Sequence, residues 1–162
     1  MREYRKYAIA TAAFSAMLYV ALVVAAFGVL SLLLDRDVIA ATDAGALLGP
    51  IMVTVSVLVL VWVVLGAALR APAPLTRVPV VTVAGAGLAA YLSYCVSGGV
   101  LYSLGAGELF SSVIFIGREL VGPFAIAVLI CGWVVAVLFF LVLLARNNGS
   151  GAPQWPWQKD DD

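Results

Sequence analysis

Residues 53–65 read VTVSVLVLVWVVL. In water, so many β-branched residues would favour a strand. The apolar run does not stop there. It extends to residues 47–69 without a charged side chain, about the 20 residues a helix needs to cross a hydrocarbon layer roughly 30 Å thick. Hydrocarbon offers no partner to a backbone N–H or C=O, so the segment must satisfy its own hydrogen bonds and the helix prevails over the local strand preference.

Three further runs pass the same test outward from this one: residues 8–34, 78–104 and 123–145. The whole chain is 64% hydrophobic and 11% charged, against about 45–50% and about 25% for a soluble domain. The expected fold class is therefore all-α, a transmembrane four-helix bundle running up-down-up-down, with left-handed packing expected from the short connections. Residues 1–146 form one membrane domain. Residues 147–162 form a polar cytoplasmic tail rich in Gly, Pro and Asp, which is expected to be disordered.

The connections carry their own signals. The amino-terminal MREYRKYA is cationic, and the run after it is far longer than the roughly 7–15 residues of a secretory core, so we read an uncleaved first helix that also targets the chain. Asp43 is a candidate cap for the second helix, with Pro50 in its opening turn. Residues 70–77, RAPAPLTR, make a short stiff connector, with Thr76 as a cap and Pro79 in the first turn of the third helix. Residues 108–121 place apolar side chains at helical spacing, and Gly122-Pro123 interrupts the pattern. A short amphipathic helix at the membrane surface, broken near Gly122, accounts for this. One long fourth helix starting near Ser111 is the other reading.

Counting Lys and Arg near the helix ends sets the orientation. Arg2, Arg5, Lys6, Arg70, Arg77, Arg146 and Lys159 fall on one side, and Arg36 and Arg118 on the other. That places both termini in the cytoplasm of a multi-pass protein of the cell membrane.

The chemistry-bearing residues are few. Histidine is absent and the net formal charge is zero, which removes the commonest general base and gives no bulk attraction to nucleic acid. No span carries a charge near its middle, so a proton pump or voltage sensor lacks its usual parts. Cys95 and Cys131 lie inside apolar runs and read as small buried side chains. Gly-rich segments at 97–99 and 105–107 lack the Lys-Ser/Thr of a phosphate loop. We expect no catalytic, cofactor-binding or metal-binding residues, no cofactor and no enzyme activity.

Three groups remain as candidate sites. Ser93, Tyr94 and Ser97 on the third helix form either a polar path or a packing face. Gly85, Ala86, Ala89, Ala90 and the pairs Ala12/Ala16, Ala21/Ala25 and Gly132/Ala136 offer the small side chains that let membrane helices approach. Glu108, Arg118 and Glu119 mark a candidate outer interface. Trp155 and Trp157, flanking Pro156, mark a candidate tail anchor at the inner headgroups or on a partner.

The Ala/Val/Leu/Gly-rich spans over residues 8–145, the RAPAPLTR connector and the polar tail together resemble the small four-helix membrane proteins of actinobacteria grouped as domains of unknown function. That resemblance covers nearly the whole chain and implies no activity and no site residues. The reading is a non-catalytic accessory or scaffold subunit that packs against other membrane proteins or against itself, with the lipid bilayer as surroundings. The alternative is a small oligomeric channel or transporter lined by the third helix.

Overall fold

In the computed structural model, residues 2–35, 47–70, 77–106 and 116–148 are described. Four long helices account for most of them: α1 Arg2–Leu34, α2 Leu48–Arg70, α3 Val80–Ala106 and α4 Pro123–Asn148. Each contains a segment long and apolar enough to cross a membrane. No strand occurs among the described residues, as the hydrogen-bonding argument for residues 53–65 requires.

Side-chain contacts give the topology. Tyr4 at the start of α1 donates to Ala68 O near the end of α2, at 3.4 Å. Arg146 near the end of α4 stacks its guanidinium over the Tyr7 ring at 4.0 Å, while Phe27 meets Phe124 at the other end of the same helix pair. Trp133 of α4 bonds Ala84 of α3, and Tyr91 bonds Leu120 just before α4. Each neighbouring pair so linked is antiparallel, and the helices alternate in direction around a four-helix bundle.

The core lies along the inward face of each helix, where buried residues recur every three or four positions, and strictly every four on α2. It runs through Thr11, Ser15, Tyr19, Val23 and Phe27 on α1, and through Leu48, Met52, Ser56, Leu60, Val64 and Ala68 on α2. The stripe on α3 includes Ala86, Ala90 and Tyr94, and that on α4 includes Phe124, Val128, Gly132, Ala136 and Phe140. Small side chains on these faces, Ala86, Ala90, Gly132 and Ala136, let the helices approach closely. Ala21 and Ala25 face outward instead.

The helix ends follow the local sequence. Asp35 adopts φ 48°, a left-handed turn that ends α1, which a short polar side chain tolerates. Pro50 lies in the opening turn of α2, and its carbonyl accepts from Thr54 Oγ1 at 2.8 Å. Pro79 sits just before α3, and its carbonyl accepts from Val83 N at 3.0 Å. Residues 116–120 are helical, the chain turns at Val121 and Gly122, and α4 starts at Pro123. Gly122 N donates to Glu119 O, and Gly122 O accepts from Ile126 N. The helix therefore breaks at Gly122, where Pro123 has no N–H to continue it. The caps proposed at Asp43 and Thr76 lie outside the described residues.

Candidate functional site: a polar seam in the bundle interior

At the centre of the bundle the Tyr19 hydroxyl lies 2.7 Å from Ser56 Oγ and 3.5 Å from Val128 O. Tyr19 and Ser56 are 0% and 1% exposed. The contact ties α1, α2 and α4 at one level and gives both hydroxyls a partner in an apolar interior, where an unpaired one is costly. Tyr94 of α3 is fully buried nearby, with its ring edge-on to Phe27 at 6.0 Å between centroids. Its hydroxyl is sealed and finds no hydrogen-bond partner among the described residues. The aromatic cluster continues through Phe27 to Phe124, whose rings meet edge-to-face at 5.5 Å.

The three residues expected to share a polar path separate here. Only Tyr94 points into the interior. Ser93 and Ser97 are half-buried, and their hydroxyls turn back to carbonyls of their own helix, Ala90 O at 2.9 Å and Tyr94 O at 3.0 Å. Ser103 does the same with Val100 O.

Arg118 and Glu119 fall in the helical segment before Gly122. Arg118 is exposed and Glu119 half-buried. Burial raises the Glu119 carboxyl above its ordinary pKa, and the nearby Arg118 cation partly opposes the shift. Glu108, Trp155 and Trp157 lie outside the described residues, as does the tail from residue 149 onward. Cys95 is buried, Cys131 half-buried, and both thiols are free. No cluster of three or more metal-ligating side chains occurs among the described residues.

Sequence inspection passed over one contact. Trp133 lies against Gly87 and donates its indole N–H to Ala84 O at 3.2 Å. The signal was available: a glycine inside AGAGLAA can accept a flat ring where any other residue would collide. Two grooves open on the outside of the bundle. One, of about 360 Å³, runs between α1 and α4 past Tyr7, Thr11, Phe14, Ser15, Leu138 and Val142. The other, of about 190 Å³, lies between α2 and α3 near Trp62, Gly66, Arg70 and Thr82.

The bundle's ends differ in charge. The contacts of Tyr4 with Ala68 and of Tyr7 with Arg146 bring Arg5, Lys6, Arg70 and Arg146 to one end. Asp35, Arg118 and Glu119 belong to the other.

The family model of DUF6121, a family of unknown function, matches residues 1–162. The chain belongs to this family. DUF6121 thus covers the bundle, its connections and the tail as one unit, and it assigns no activity to any of the residues just described. No curated protein and no solved structure matches the chain.

Proposed function

We propose that this DUF6121 member is an integral protein of the cell membrane with both termini in the cytoplasm, and that it acts as a non-catalytic accessory or scaffold subunit by packing against membrane partners or a second copy. One observation carries the reading: the hydroxyls at the bundle centre and on α3 at Ser93 and Ser97 are turned inward and sealed or turned back on their own helix. Tyr19 and Ser56 face each other, Tyr94 is enclosed, and Ser93 and Ser97 bond their own backbone. A solute path needs hydroxyls presented to a wet groove, and both grooves described above open on the outer faces. Those outer faces carry many large apolar side chains, among them Phe14, Met17, Trp62 and Val81, which suit lipid or another membrane helix.

The orientation rests on seven Lys and Arg residues against two. A carboxyl-terminal tag is expected to resist protease added outside intact cells, and its removal would reverse the assignment. The scaffold role is tested by purification in mild detergent with mass spectrometry of what co-purifies. A reproducible stoichiometric membrane partner is the expected result. The oligomeric channel draws on the half-burial of Ser93 and Ser97, which a second copy could enclose. A pure homo-oligomer that passes ions across liposomes would establish that reading and remove the scaffold one.

A further inference from the structure

We propose that the groove between α1 and α4 is a binding site for an anionic glycerophospholipid of the leaflet that holds the chain termini, with one acyl chain in the groove and the phosphate on Arg146. The groove runs along α1 from Tyr7 to Leu18 and is walled on the other side by Leu138 and Val142. At about 1.5 Å per residue that is roughly 16 Å, half of a hydrocarbon layer about 30 Å thick. It ends near mid-bilayer, where Tyr19 and Val23 close the packing. A partner helix crosses both leaflets and needs a continuous face; a groove that stops halfway matches a single acyl chain.

The polar groups are graded in the order a phospholipid requires. Arg146 stands at the open end, its guanidinium carbon 4.0 Å from the Tyr7 ring centroid. The ring holds the cation beside the groove, and a guanidinium supplies several N–H donors to phosphate oxygens. Thr11 follows one turn below Tyr7, and Ser15 one turn deeper. Both are 8% exposed and line the groove. Neither hydroxyl is engaged with another described residue, whereas those of Ser93, Ser97 and Ser103 bond carbonyls of their own helix. A glycerol ester just beneath the phosphate supplies the acceptor that Thr11 lacks. Phe14, Leu18 and Leu138 then surround the methylenes.

The test uses the full chain in detergent, stripped of lipid and titrated with phosphatidylglycerol or phosphatidylcholine, with bound lipid counted by native mass spectrometry. One equivalent of phosphatidylglycerol is expected to persist at activation energies that strip phosphatidylcholine. Arg146→Gln is expected to weaken its retention about five-fold, the effect of one interfacial cation. Arg5→Gln, an equal change of charge at the same end but away from the groove, is expected to leave retention unchanged. Val142→Phe fills the groove from a position 42% exposed, so it leaves the core intact and decides the matter should Arg146→Gln fail to fold; loss of the retained lipid is expected. Equal retention of the two lipids would overturn the proposal, as would equal losses from Arg5→Gln and Arg146→Gln. So would a Val142→Phe variant that changes oligomeric state while keeping its lipid, because the groove would then hold a second copy.

Discussion

The Trp133 indole occupies the space that a side chain on Gly87 would need. A Cβ built on Gly87 collides with Cδ1 and Nε1 of the ring, and a Cβ on Gly132 would lie 3.1 Å from Gly87 Cα. The two glycines let α3 and α4 approach, and the indole then reaches Ala84 O. Gly87→Ala must displace the ring or part the helices. Overpacking of this kind costs about 1–3 kcal/mol, and loss of the indole hydrogen bond adds to it. Gly85→Ala is the control, since nothing lies within 4 Å of a Cβ there; it is expected to be neutral or slightly stabilising, because alanine favours the helix. Unfolding in mixed micelles of rising SDS fraction measures both. Equal midpoints for the two variants would remove Gly87 from the interface.

The Tyr19–Ser56 hydrogen bond links helices whose sequences show no other reason to align at that level. A double-mutant cycle of Tyr19→Phe and Ser56→Ala isolates the bond. Hydrogen bonds between membrane helices average about 0.6 kcal/mol in such cycles, with about 1.7 at the upper end, and full burial at 2.7 Å places this one toward the top. Each single variant is expected to cost more than the coupling, because it leaves a polar group unpaired. Additive single effects in the same SDS titration would show that the two hydroxyls do not interact.

How much of this was legible beforehand follows from what each feature depends on. The spans depend on length and apolar content alone, and residues 47–69 correspond to a helix at Leu48–Arg70. The interruption at Gly122-Pro123 depends on a missing N–H, which the sequence states outright. Which face of each helix turns inward depends on its neighbours, and in lipid both faces are apolar, so the hydrophobic pattern carries little information. Ala12/Ala16 and Ala21/Ala25 looked alike as small-residue pairs, yet Ala12 is buried and Ala21 and Ala25 are exposed. Ser93 and Ser97 looked like partners of Tyr94, but a serine in a helix can satisfy itself on its own backbone. The pairing of Tyr19 with Ser56 joins residues 37 apart in the chain and leaves no local trace.

Tyr94 carries the opposite expectation to Tyr19. Its hydroxyl is enclosed without a partner, and an unsatisfied buried polar group costs about 1–3 kcal/mol. Tyr94→Phe removes that oxygen and keeps the edge-on contact with Phe27. The variant is expected to be at least as stable as the natural chain, by about 1 kcal/mol or more. Tyr19→Phe, made beside it, is expected to lose stability. A marked loss in Tyr94→Phe would mean that its hydroxyl finds a partner, such as a bound water, when the protein is in lipid.

Glu119 gives the bundle a pH dependence whose sign follows from its burial. Its carboxyl is held above the ordinary range by desolvation, against the opposing pull of Arg118. The folded protein therefore holds the Glu119 proton more tightly than the unfolded chain does. Between the unfolded pKa, near 4.3, and the higher folded value, the native state binds more protons, so stability falls as pH rises through that window. Below the window the carboxyl is neutral in both states and its burial costs least; above it the ionised carboxylate bears the full desolvation. Glu119→Gln fixes the side chain in a neutral form of similar shape. The variant is expected to flatten the slope of stability against pH across that window and to be the more stable protein at neutral pH. Arg118→Gln removes the opposing cation and is expected to raise the upper edge of the window while its lower edge stays in place. Thermal melts in detergent at a series of pH values read all three proteins, and a slope that survives Glu119→Gln unchanged would assign the dependence to another group.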